Sequence, residues 1–150
     1  FILIGNLLGT LFTSLILHFT RIFESISTKA KTIVEIKLND NIISILILSI
    51  MCGILIYLGV DTFKKSNNNV SKVLAIILCV WVFIISGFEH CIANMFYISI
   101  ADMWSLKAIL YVLIMVIGNS IGGILIPALK LIITKLDNKK EEGENNEKTN

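Results

Sequence analysis

Four long apolar runs separated by short polar stretches organise the chain. They cover residues 2–19, 42–60, 73–101 and 106–134, and each reaches the roughly 17 residues an α-helix needs to cross a hydrocarbon core of about 30 Å. The runs are continuously apolar. Strands of a membrane barrel would instead alternate polarity over about ten residues, so the pattern predicts an all-α integral membrane domain over 1–134 with four spans. Residues 21–41, 61–72 and a short turn around Asp102 connect them. Residues 135–150 are rich in Lys, Glu and Asn with almost no apolar side chain, which cannot offset the entropy of ordering, and a disordered charged tail is expected there. Phe1 is not an initiator methionine and the first residues already read as the inside of a span, so the sequence reads as a fragment.

The third run departs from a plain span. A straight helix over 73–101 would be roughly 43 Å long, so something must tilt, break or loop. Inside it, Gly87, Glu89, His90, Cys91 and Asn94 place an acid, an imidazole, a thiol and an amide where lipid offers no partners. Burying such groups costs several kcal/mol unless protein or a water-filled cavity receives them. A break over 87–94 is expected, because irregular backbone at membrane depth survives only where protein buries it or a cavity lines it. Such a polar island is a pathway hypothesis; a structural hydrogen-bond knot is its plainer reading.

An internal repeat adds to this picture. Ile4-Gly5-Asn6-Leu7-Leu8-Gly9 in the first run matches Ile117-Gly118-Asn119-Ser120-Ile121-Gly122 in the fourth at both glycines and the asparagine. Glycines four apart let a neighbouring helix approach closely, so Gly5, Gly9, Gly118 and Gly122 are expected to pack, while Asn6 and Asn119 must bond across to another helix or to solute. Two spans separate the copies, which therefore run in opposite directions through the membrane. Inverted three-span repeats are a transporter and channel architecture with the site near the midplane.

Composition narrows the class. Fifty-five per cent of the 150 residues are apolar and mean hydropathy is +0.83, more than a soluble domain of this size hides in one core. The formal net charge of +2 does not suggest a nucleic-acid partner. Cys52, Cys79 and Cys91 are odd in number and lie within spans, and read as free thiols. His18 is the only other histidine, and adjacent residues such as His90 and Cys91 diverge on a helix, so a metal or redox enzyme is disfavoured and no cofactor is expected. Lys64, Lys65, Lys72 and the tail lysines share one face, against Arg21, Lys29, Lys31, Lys37 and Lys107 on the other. This bias points to a cytoplasmic tail, and the expected location is the plasma (inner) membrane.

The segment Gly87-Phe88-Glu89-His90-Cys91-Ile92-Ala93-Asn94-Met95-Phe96 resembles the signature of the formate/nitrite transporters. Gly118-Asn119 with Gly122-Gly123 is similar to that family's last-span motif, Gly5-Asn6 to its third-span counterpart, and Lys37 stands where the family has a lysine in the loop entering its fourth span. Ile50-Met51-Cys52-Gly53 resembles a segment that commonly ends in asparagine, and Gly53 departs from it. The resemblance covers residues 1 to about 134, spans three to six of six, and implies two further spans upstream of Phe1. It implies a homopentamer of aquaporin-like protomers, each with a pore for small monovalent anions such as formate, nitrite or hydrosulfide. His90 would be the central histidine, Gly87 to Asn94 the broken-helix loop, and Phe83 would fall near a constriction.

Elementary energetics make that chemistry reasonable. A bare anion in a dry slit loses several kcal/mol of hydration, whereas protonating a carboxylate with pKa near 4 costs roughly 4 kcal/mol at pH 7. Neutral passage competes if a proton donor stands at the constriction, and imidazole is suited to that role. Lys37 would concentrate anions at the outer mouth, or be an ordinary solvated loop lysine. Glu89 would cap or hold the loop rather than face the pore, where its charge would repel anions, and Asn94 would offer its amide to the loop or to substrate. A structural or redox membrane subunit without transport is the competing class.

Overall fold

The computed structural model describes the backbone of residues 1–148 and the side chains of residues 1–139. Six helices follow one another: α1 (Ile2–Leu17), α2 (Phe23–Asn39), α3 (Ile42–Lys65), α4 (Asn69–Ile85), α5 (Cys91–Ile100) and α6 (Leu106–Lys148). No strand occurs among the described residues. Two helices, Ile42–Lys65 and the stretch Leu106–Lys139, are long and apolar enough to cross a membrane unaided. The expected third span is divided between α4 and α5.

Three expectations need correction. Residues 21–41, read as a connector, contain α2. Its buried Ser27, Ala30 and Val34 recur at helical spacing, while Glu24, Thr28, Lys29, Lys31, Thr32 and Glu35 are exposed, so it is an amphipathic helix lying on the bundle. The stretch expected to be disordered from Lys135 instead continues α6 as far as Lys148; Lys and Glu are good helix formers, and a long helix already nucleated needs no new apolar contact to extend. Thr149 and Asn150 lie outside the described residues. The break in the third run is also shorter than 87–94, since Cys91 to Asn94 already form the first turn of α5.

α3 and α6 form the central pair, and glycine sets how close they come. A Cβ on Gly122 would lie 2.1 Å from the Ile50 carbonyl oxygen, one on Gly118 2.5 Å from Ser49 Cβ, and one on Gly53 2.3 Å from the Asn119 carbonyl oxygen. These are backbone collisions or nearly so, and only a residue without a side chain fits. Gly53 is thus part of this close crossing. Around the pair, Ala30 and Val34 of α2 meet Met95, Ile98 and Ile100 of α5 and Ala108 and Val112 of α6 in one buried cluster. Helix α1 packs on α5, and among the described residues nothing lies within 4 Å of a Cβ built on Gly5 or Gly9, so α1 meets α5 through a different face.

Candidate functional site

The break is built by a helix ending and a helix beginning back to back. α4 closes with the Gly87 N–H donating to the Ile84 carbonyl (3.2 Å) and the Phe88 N–H to the Phe83 carbonyl (3.0 Å), while Gly87 itself sits at φ +67°. That is a Schellman ending, which requires the left-handed conformation glycine adopts without strain. The chain then runs extended past α3, where the Glu89 N–H donates to the Leu48 carbonyl at 3.3 Å. His90 is the N-cap of α5: its Nδ1 accepts the Ala93 N–H at 3.3 Å. The Gly, the apolar residues before it and the cap-competent His after it are all local sequence features, so the break is encoded locally.

A single amide ties the break to the central pair. Asn119 of α6 accepts the Cys91 N–H through Oδ1 (3.0 Å) and donates through Nδ2 to the Glu89 carbonyl (2.8 Å) and the Ser49 carbonyl of α3 (2.9 Å). Both of its N–H donors and its carbonyl oxygen are therefore engaged by backbone groups of the break and of α3. Asn6, its counterpart in the repeat, donates only to Ile2 of its own helix, at 3.0 Å.

The acid of the island has its own counterion. Glu89 Oε2 accepts from Lys37 Nζ at 2.6 Å and from Asn94 Nδ2 at 2.8 Å; the Glu89 side chain is 4% exposed and that of Lys37 16%. Asn94 also donates to the His90 carbonyl at 2.9 Å. Lys37 is therefore neither in a loop nor a free solvated charge. It stands in the last turn of α2, a position that also complements the helix dipole, and its ammonium is matched by the carboxylate. Glu89 is held by the pair and by the first turn of α5.

Two cavities meet at the imidazole. One, of about 370 Å³, is lined by Lys37, Asp40, Phe83, Gly87, His90 and Asn94 among others; the second, of about 260 Å³, is lined by Gly53, Tyr57, Val60, His90, Asn119 and Gly123. His90 is the side chain common to both. The Phe83 ring stacks on it with centroids 5.7 Å apart and planes at 25°, so an apolar wall stands beside the imidazole. An apolar groove of about 350 Å³ between α1, α5 and α6 does not touch this site.

The family model described as Formate/nitrite transporter matches residues 1–133. The chain belongs to the formate/nitrite transporter family. Over 144 residues it is 30% identical to a formate-nitrite transporter of Plasmodium knowlesi (strain H), covering 86% of this chain and 46% of that one. It is 33% identical over 101 residues to the formate channel FocB of Escherichia coli (strain K12), covering 65% and 36%. Among solved structures it resembles a pentameric formate channel with formate bound, with a TM-score of 0.78 and 26% identity over 89% of this chain and 63% of that chain. The chain thus spans less than half the length of these curated relatives. Membership makes it a membrane protein of a transporter family rather than an enzyme.

In this formate/nitrite transporter chain the structure brings His90, Asn94, Phe83, Lys37, Glu89, Gly87 and Asn119 to one place, and Gly118 and Gly122 hold the helix behind it. Gly5, Asn6 and Gly9 lie elsewhere, on α1. Sequence reasoning missed Ser49, singled out Gly53 without foreseeing that both receive Asn119, and missed Tyr57, which lines the second cavity. A serine and a glycine four apart in an apolar helix were the available signal for the first two.

Proposed function

We propose that this chain carries the conduit of a channel or transporter for small monovalent anions of weak acids, formate above all, with His90 hydrogen-bonding or protonating the anion as it passes. The observation that supports this best is that His90 lines both cavities, with only apolar Phe83 stacked beside it. Because Nδ1 accepts the Ala93 N–H, the ring's proton belongs on Nε2, leaving an N–H free to donate to an oxyanion. A carboxylate held there crosses the dry stretch neutral once a proton drawn from solution charges the ring at Nδ1, displacing the Ala93 N–H, and the Nε2 proton passes to the anion to restore the neutral imidazole; the net protonation costs roughly 4 kcal/mol for a pKa near 4 at pH 7, less than the desolvation of the bare anion. The Lys37–Glu89 pair keeps the site close to neutral, so the buried carboxylate does not repel the solute.

The same reading includes a pentamer of aquaporin-like protomers with inverted repeats. Asn6 would then serve, against a further span, the clamp role that Asn119 serves here, with Gly5 and Gly9 facing that span. Nitrite and hydrosulfide fit the same weak-acid description, and the lysine asymmetry supports a cytoplasmic tail and a plasma-membrane setting. Vesicle flux of formate, nitrite and hydrosulfide under an imposed pH gradient tests the reading. Flux should rise as the anion side is acidified, and His90→Asn should flatten that dependence while assembly persists. A His90→Asn protein with the wild-type pH profile would remove the imidazole from the mechanism.

A further inference from the structure

The end of the bundle where α3 finishes carries charge that the conduit does not use. Asp61 accepts from Lys65, one turn on, at 2.9 Å and from Lys130 of α6 at 2.9 Å. One carboxylate thus holds two ammonium groups near each other, and both remain largely open to solvent, with 65% of the Lys65 side chain and 51% of the Lys130 side chain exposed. Lys72 of α4 reaches the same end, its Nζ 5.8 Å from the centre of the Phe63 ring, and Lys130 lies 5.5 Å over Tyr57. Lys64, Lys65, Lys72 and Lys130 against Asp61 leave this surface with a net charge of +3. Farther along α6, Asp137 is outnumbered by the exposed Lys135 and Lys139.

The surroundings of these lysines are apolar and uncovered. Phe63, Val70, Val73, Leu129 and Leu131 are all more than 40% exposed, and they lie within about a turn of the charged residues. Ammonium groups resting on aromatic rings above an exposed apolar belt mark the level at which a bilayer's hydrocarbon gives way to its headgroups. A soluble anion would use the lysines and leave the belt bare. A phospholipid uses both.

We infer that this surface binds an anionic phospholipid, with Lys65, Lys72 and Lys130 on its headgroup phosphate and the belt against its acyl chains. Asp61 gathers Lys65 and Lys130, whose ammonium groups would otherwise repel each other, and three surplus charges remain to attract the lipid. A lysine near a membrane surface contributes about 1 kcal/mol toward anionic lipid, roughly fivefold in affinity. The inference rests on the membrane location of the family and not on the role of His90, so the two can fail separately.

The test compares association of spin-labelled phosphatidylglycerol and phosphatidylcholine of equal chain length with the purified protein in phosphatidylcholine vesicles. Phosphatidylglycerol should associate more strongly, and Lys65→Gln with Lys72→Gln should weaken it by about 25-fold while leaving phosphatidylcholine unchanged. Neither lysine lines the cavities at His90, so an unchanged thermal midpoint of the double variant in detergent reports that it has folded, whatever solute the protein carries. At 1 M salt, where the Debye length is about 3 Å, the preference should vanish. Equal association of the two lipids, an undiminished preference in the folded double variant, or a preference removed by inorganic phosphate at matched ionic strength would each overturn the lipid assignment.

Discussion

Lys37 offers the sharpest measurement, because its pairing reverses what a free surface lysine would do. Lys37→Met leaves the Glu89 carboxylate, 4% exposed and 2.6 Å from the lost ammonium, with the Asn94 amide as its remaining side-chain partner. Removing one member of a buried pair costs about 3–5 kcal/mol. The lower end applies, since the Lys37 side chain keeps 16% exposure and water can reach the vacated end. Glu89→Gln should cost a similar amount by stranding the lysine, while still accepting from Asn94. The double variant removes both charges, and its loss should fall short of the summed single losses by about 2 kcal/mol. Unfolding of the purified protein in a mixed-micelle SDS titration gives these differences directly. A second signature separates pairing from steering: formate flux of Lys37→Met should fall by the same factor at low and high salt, because buried charges are little screened. Strictly additive single and double variants, or a flux defect confined to low salt, would refute the ion-pair reasoning.

Asn119→Leu strands the Cys91 N–H and the carbonyls of Ser49 and Glu89, and should destabilise the protein by about 2–4 kcal/mol; an unchanged thermal midpoint in detergent would show that the amide does not clamp the break. Gly122→Ala places a methyl 2.1 Å from the Ile50 carbonyl oxygen and should cost about 3 kcal/mol by forcing α3 and α6 apart. Gly123→Ala, where nothing lies within 4 Å, should be nearly neutral, and equal losses at the two positions would refute the close-crossing account.

What the sequence made legible was what local rules encode. Hydropathy alone separates the apolar runs, and Gly87 followed by a cluster of polar residues marks the interruption because a left-handed residue and a capping side chain are both local requirements. Asn119 was readable too, since a mid-span amide needs a partner across a helix boundary. α2 escaped because a hydropathy window weighs mean apolarity, whereas the helix declares itself by the period of Phe23, Ile26, Ala30 and Val34. The partner of Lys37 escaped for a different reason: Glu89 lies 52 residues away, and only the seating of α2 against α5 brings the two together. Gly5 and Gly9 show the converse, a clear packing motif on a face that no other helix covers among the described residues.

The way Asn119 is used has a consequence for how the molecule senses its bilayer. The same amide grips one long span, leans on the other, and supports the backbone from which the imidazole projects, so a slide of α6 along α3 cannot leave that ring where it was. Spans slide or tilt when hydrocarbon thickness changes. Transport should therefore depend on acyl-chain length, with the ring's alignment, rather than the width of the opening, as the property that thicker or thinner membranes alter.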